Sequence, residues 1–308
     1  IFHLDIAGFQ GGYVGVDIFF VISGFLMATI LNESKCGTVE IKAFITRRFL
    51  RLWPLLAFVS LAYSVLYASE TSSSLLGELL PSITFTANLS KPTFGNPSLL
   101  GPTWSIATEF QFYLLIAAAY WLFSGKPKPI LITACIFYGV TTVSKFVGAQ
   151  GDFRCATLAF SPIFRSSGLF LGVILAFVPI VSYRTSIIGV LVAAMMLLLI
   201  LPLNTWCAGA SAALSTLSAE VATFLLLSAL LNENSVLLRR ILSVQPIVAL
   251  GKLSFGVYLW HYPITWVTNQ FGSELSFLIV FSTSLILAHF SHHYIERRFY
   301  RPQYLTTV

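Results

Sequence analysis

Charge is what this chain has least of. Asp, Glu, Lys and Arg make up 10% of its 308 residues, against roughly a quarter in soluble domains. So few polar groups cannot cover a water-soluble body, and that class is excluded. Cysteine is also sparse. Cys36, Cys135, Cys155 and Cys207 show no metal-ligand spacing, which leaves four separate thiols or a single disulfide, with Cys155 and Cys207 the pair expected on one side of a membrane. No internal repeat is visible, and no inverted repeat of the kind many transporters carry. No cleavable signal peptide opens the sequence.

Apolar runs are abundant instead: 56% of residues are hydrophobic and the mean hydropathy is +0.83. A helix needs about 20 apolar residues to cross a ~30 Å hydrocarbon core. Stretches of that kind fall near 12–31, 50–67, 104–123, 129–147, 160–181, 185–202, 213–231, 254–271 and 275–294. Only helices and closed barrels satisfy their own backbone in lipid, and runs this long are helical. The opening IFHLDIAGF is too short to span and reads as the end of a helix that begins earlier. The expected fold is therefore an all-α, polytopic transmembrane helix bundle of about ten spans, its first span truncated here. Residues 1–308 are read as one integral-membrane domain with no appended soluble domain. The longest polar stretch, about 68–103, reads either as a lid or acceptor platform or as a connector without structure.

The net charge of +6 has a simple explanation. With a cytoplasmic N-terminus, the inner loops hold Lys35, Lys42, Arg47, Arg48, Arg51, Lys126, Lys128, Arg184, Arg239, Arg240, Lys252, Arg297, Arg298 and Arg301. Lys91, Lys145, Arg154 and Arg165 are left outside or embedded. This is the positive-inside pattern, and it removes any need for a nucleic-acid partner.

Residues 11–24, GGYVGVDIFFVISG, place Asp17 among small and aromatic residues at the start of a span. A carboxylate in lipid costs several kcal/mol unless it meets a partner or a wet cavity. At about 1.5 Å rise per residue, His3, Asp5, Asp17, Glu109, Arg165 and Glu220 all fall in the outer part of the bilayer. Their shared depth predicts one polar cavity opening outward. Ser105, Glu109 and Tyr113 recur at i, i+4, i+8 and so lie on one helix face. Gly168 and Gly172 form a small-xxx-small contact that brings their helix close to another. A buried Glu109–Arg165 ion pair is the structural alternative to a functional role for those two residues. His3 is the side chain best suited to proton transfer near neutral pH, and Asp17 is the candidate to orient its ring, although a single interfacial histidine is also commonly structural.

ITRRFLRLWP sets Arg47, Arg48 and Arg51 where a span leaves the cytoplasmic interface. Guanidinium groups grip phosphates bidentately, so the cluster fits a CoA-like anion. It also fits a topology anchor touching lipid headgroups. LGKLSFGVYLWHYP sets Tyr258 and His261 on one face, with Pro263 expected to bend the helix or free a carbonyl. His292 and His293 read as interfacial residues rather than metal ligands.

Six segments in this order resemble the acyltransferase-3 family of polytopic membrane acyltransferases. They are His3 followed by GGYVGVDIFFVISGFL, then RRFLRLWP, TWS…EFQFYLL, SPIFRSSGLFLG, LGKLSFGVYLWHYP and HHYIERRF. Together they cover nearly the whole chain. The resemblance implies about ten spans, a cytoplasmic acyl-CoA donor (usually acetyl-CoA, as co-substrate rather than bound cofactor) and an extracytoplasmic hydroxyl acceptor. Bacterial members O-acetylate surface polysaccharides and peptidoglycan, which places the chain in a bacterial inner membrane among its lipids. His3 matches the family's essential histidine. The basic residue eleven positions before it would precede Ile1. Arg48 and Arg51 match the family's arginine pair, which shifts the reading of that cluster toward donor binding.

The resulting expectation is acetyl transfer from acetyl-CoA to a carbohydrate hydroxyl. His3 would be catalytic, either as general base on the acceptor hydroxyl or as a transient carrier of the acetyl group, with Asp17 and Glu109 orienting or polarising it, and Arg47, Arg48 and Arg51 would hold the CoA phosphates. Trp104, Ser105, Tyr113, Arg165, Tyr258 and His261 would line the route between them. A histidine at the outer end and arginines at the inner end lie tens of ångströms apart, so either the pantetheine arm threads deep or the acetyl group is handed over midway. The competing readings are a secondary transporter of a small polar solute and a non-catalytic receptor on the same fold.

Overall fold

The computed structural model describes residues 4, 6, 8–34, 37–66, 75–89, 100–151, 155–178, 183–268 and 273–299. His3, Asp5, Lys35, Cys36, Lys91, Arg154 and Arg301 lie outside the described residues. Among those described, every regular element is a helix. A short turn at Gln10–Val14 leads into α1 (Gly15–Asn32), followed by α2 (Thr38–Leu66), α3 (Leu75–Ile83), α4 (Thr103–Leu122) and α5 (Pro127–Gln150). Three short pieces come next: α6 (Cys155–Phe160), α7 (Pro162–Arg165) and α8 (Ser167–Leu175). The chain continues through α9 (Tyr183–Ile200), α10 (Ala210–Leu231), α11 (Val236–Leu242), α12 (Gln245–Thr268) and α13 (Ser273–Ser291), with a wide final turn at His292–Glu296.

The described parts of the apolar stretches read from the sequence are largely helical. Among the described residues, five helices are long and apolar enough to cross a membrane, and α11 with α12 makes a sixth if that pair, bent by 61°, is one span, fewer than the ten expected. The rest fall short for visible reasons. Helix α4 carries Ser105, Thr108, Glu109 and Gln111 among its apolar residues. The stretch 155–178 is broken at Ser161 and Ser166. Exposed side chains complete the picture of an integral membrane protein: Ile132, Ile136, Val140, Val143 and Val147 form an exposed apolar stripe along α5, where lipid rather than water is the matching solvent.

Of the stretch 68–103, the described part contains α3, and the residues after α3 are tied to α4. Asn88 and Gln111 exchange amide hydrogen bonds at 2.8 and 3.0 Å, and Gln111 also donates to the Phe85 carbonyl. The sharp bend of the C-terminal half falls between α11 and α12, while α12 continues through Pro263.

Helices α1 and α8 pack backbone against backbone. A Cβ at Gly24 would stand 2.0 Å from the Leu169 carbonyl oxygen, and one at Gly172 would stand 2.2 Å from that of Val21. The two backbones touch because hydrogen is the only side chain there, as small residues permit in membranes. The Gly168/Gly172 contact expected from the sequence is thus formed, and its partner is the helix that carries Asp17.

Candidate active site

Helix α4 supplies the axis of the site. Its Ser105, Glu109 and Tyr113 share a face as their spacing requires, and all three are buried. Ser105 Oγ lies 2.6 Å from the Tyr258 hydroxyl on α12, and that hydroxyl donates to the Pro102 carbonyl at 3.0 Å. One turn further along, Glu109 Oε1 accepts a hydrogen bond from Ser23 Oγ at 2.6 Å and a second from the Tyr113 hydroxyl. Glu109 is only 3% exposed. A carboxylate at that depth is tolerable because hydroxyl donors replace its water.

Arg48 of α2 stands on the Tyr113 side of this carboxylate. It is 7% exposed and lies over the Phe44 ring at 5.7 Å, and that ring packs edge-on against Tyr113. Arg47 and Arg51 are partly exposed.

Toward the other end, Arg165 Nη2 donates to Asp17 Oδ2 at 2.8 Å, with both side chains buried. Its guanidinium lies 5.5 Å from the Trp104 ring and 5.9 Å from the Tyr13 ring. Trp104 also packs edge-on against Phe20. The alternative pairing of Arg165 with Glu109 is not the one formed: α7 sets Arg165 beside the start of α1, while Glu109 is turned toward Ser23. A second buried pair joins Lys145 Nζ of α5 to Glu220 Oε1 of α10 at 2.7 Å, and the same oxygen accepts from Ser167 Oγ at 2.6 Å. The acidic and basic residues expected to line one outward cavity thus divide into two groups. The Asp17–Arg165 and Lys145–Glu220 pairs surround α8, and Glu109 lies on the arginine side. His3 is outside the described residues, so Asp17 is described here only as the partner of Arg165.

Tyr258 joins α12 to the start of α4 through Ser105 and the Pro102 carbonyl, next to Trp104, over whose ring Arg165 lies. His261 Nδ1 lies 2.6 Å from the Tyr258 carbonyl oxygen, with the two rings 5.6 Å apart between centroids. The result is a buried polar file: arginines, then Glu109 with Tyr113 and Ser23, then Ser105 with Tyr258, then Arg165 with Asp17. Such a file can hold an anionic group at one end and orient hydroxyl and carbonyl oxygens along its length. Among the described residues, no three His, Cys, Asp or Glu gather as metal ligands.

At the Arg165 end a pocket is lined by Tyr13, Lys145, Arg165 and Trp206, together with the Cys155–Cys207 disulfide. That bond, left open by the sequence, ties α6 to the segment between α9 and α10. Sequence reasoning also missed Ser23 and the partnership of Lys145 with Glu220. The second had a readable signal, a lysine buried near the end of one span and a glutamate within another; what sequence lacks is which helices are neighbours.

The comparisons with known proteins agree with this architecture. A family described as an acyltransferase domain (acyltransferase-3) matches residues 2–290. An O-acetyltransferase OatA from Staphylococcus aureus is 26% identical over 96% of this chain and 54% of its own length. A peptidoglycan O-acetyltransferase OatA from Listeria monocytogenes is 28% identical over 87% of this chain and 47% of its own. A Bacillus subtilis protein named as a peptidoglycan O-acetyltransferase, YrhL, is 28% identical over 96% of this chain and 52% of its own. The chain spans about half the length of these curated relatives. No solved structure matches it. With the family match running through all but its last residues, this chain belongs to the acyltransferase-3 family.

Proposed function

We propose that the protein transfers an acetyl group from acetyl-CoA, supplied on the cytoplasmic side, to a hydroxyl of an extracytoplasmic glycan, with peptidoglycan the first candidate. The observation that carries this reading is Glu109: it is buried between Tyr113, against which Phe44 and so Arg48 pack, and the Ser105–Tyr258 hydroxyls one turn away. The names of the relatives support the reaction class and the acceptor class.

In this reading Arg48 and Arg51, with Arg47 at the rim, hold the CoA phosphates, and the pantetheine arm runs along the polar face of α4. His3 removes the proton of the acceptor hydroxyl as its oxygen attacks the thioester carbonyl carbon. The C–S bond breaks, and the CoA thiolate leaves and takes up that proton as CoA–SH. Glu109 orients the hydroxyls of Ser23 and Tyr113 around the acyl group. Asp17, held by Arg165, stands at the acceptor side of the file, and Trp104, Ser105, Tyr258 and His261 wall the passage.

The test replaces His3 with Ala and measures O-acetyl groups on envelope glycans alongside membrane insertion. Loss of acetylation with normal insertion is expected; unchanged acetylation removes His3 from the reaction. Uptake of a labelled solute into proteoliposomes without acyl-CoA would favour a transporter instead.

A further inference from the structure

Helix α4 is gripped on the flank that the proposed reaction does not use. At about 3.6 residues per turn, Gln111 lies nearly opposite Glu109 on the helix, with Thr108 on the same side as Gln111. The segment that takes hold there is 84–89, which follows α3. Asn88 is fully buried. Its amide nitrogen donates to Gln111 Oε1 at 2.8 Å and to Thr108 Oγ1 at 3.1 Å, and its amide oxygen accepts from Gln111 Nε2 at 3.0 Å. Gln111 Nε2 also donates to the Phe85 carbonyl at 2.8 Å. Each amide thus uses both of its N–H groups and its oxygen.

The segment is also strained. Phe85 has a φ of +56°, a left-handed conformation that a bulky side chain rarely adopts. Its ring stacks on Phe110 of α4 with centroids 4.1 Å apart and meets Phe49 of α2 at 6.2 Å. Trp53 of α2 donates to the Ile83 carbonyl at 3.1 Å. The strained residue therefore sits in a joint between α2 and α4, and strain persists only where the surroundings enforce it.

Such a joint controls rotation. Apolar packing is non-directional, so it holds a helix in place more firmly than it fixes the turn about its axis, whereas hydrogen bonds are directional. With an outer radius of about 5 Å, α4 turning by about 20° moves a group on its surface by about 2 Å. That is enough to break the 2.6 Å bond from Ser23 to Glu109. We propose that Asn88 is a positioning residue for the transfer: through Gln111 and Thr108 it sets the rotation of α4 and so aims Glu109 at Ser23 and Tyr113. The proposal rests on the role given above to Glu109. A misaimed carboxylate slows the chemical step and leaves donor binding as it was.

The experiment is a double-mutant cycle on the full chain in lipid nanodiscs, with Asn88→Ala, with Glu109→Met, which keeps the volume and removes the carboxylate, and with both. The probes are acetyl-CoA and a tetrasaccharide of the peptidoglycan glycan strand, and kcat, the acetyl-CoA KM and the unfolding midpoint are read for each protein. Asn88→Ala is expected to lower kcat about tenfold to a hundredfold with KM within about twofold. In the Glu109→Met background the same change should lower kcat by less than about twofold, while the midpoint falls by a similar amount in both backgrounds. Thr108→Val, which removes one bond of the grip at nearly constant volume, takes the place of Asn88→Ala in the cycle should that variant fail to fold. An undiminished loss of kcat in the Glu109→Met background, an unchanged kcat in the folded single variant, or a loss carried wholly by KM overturns the positioning role and leaves Glu109 in the reaction. Full activity in Glu109→Met removes Glu109 from the reaction and overturns both readings.

Discussion

Asp17 and Arg165 meet at 2.8 Å between α1 and α7, and the contact does not use either side chain fully: among the described residues, Asp17 Oδ1 and Arg165 Nε have no hydrogen-bond partner. The pair thus closes the bundle around α8 while leaving one acceptor and one donor for something else.

Removing one member should therefore be worse than removing both. Asp17→Ala is expected to destabilise the protein by roughly 3–5 kcal/mol, because a buried guanidinium loses its counter-charge. The double variant Asp17→Leu/Arg165→Met should recover much of that stability and still lack transfer. Thermal unfolding in detergent and an acetylation assay, run together, check this; full activity in the double variant would reduce the pair to a structural role.

Glycine packing gives a second test with an internal control. Gly172→Ala puts a methyl group into the Val21 carbonyl and should cost about 1–3 kcal/mol or more, as overpacking does. Gly139→Ala, within α5 and with nothing near its Cβ position, should gain about 0.5–1 kcal/mol from helix propensity. Unfolding midpoints of the two variants should move in opposite directions.

The α2 arginines should separate binding of donor and acceptor. Arg51→Lys keeps the charge and loses the planar fork, so the KM for acetyl-CoA should rise by about tenfold while the acceptor KM holds. Equal rises in both would indicate a damaged bundle rather than a lost phosphate contact.

The disulfide closes a sequence separation of 52 residues. Chain entropy alone assigns a loop of that size about 4 kcal/mol, but membrane helices already restrain the unfolded chain, so the loss on reduction should be smaller. A membrane-impermeant reductant should lower the unfolding midpoint of the unchanged protein and leave Cys155→Ser unaffected.

Much of the fold was legible because its solvent is legible. Apolar runs such as 12–31 and 213–231 report burial in lipid through composition, and helix is then required by backbone hydrogen bonding. The face Ser105–Glu109–Tyr113 was legible through helical spacing, and the glycines near Arg165 through the space they leave. The pairings were not. Arg165 has several carboxylates at similar depth, Asp17, Glu109 and Glu220 among them, and depth along a span says nothing of which helix stands beside it.

The residue order on its own determined that this chain lives in a membrane as helices, which of its side chains lie buried there at a cost, and the family to which it belongs. Tertiary structure alone decided that Arg165 binds Asp17, that Lys145 binds Glu220, that Arg48 lies over the Phe44 ring beside Tyr113, and that Cys155 reaches Cys207. Helix formation is a local matter of hydrogen bonds within one segment. Partner choice depends on how segments far apart in sequence pack, here on bare glycine backbones letting α1 and α8 touch.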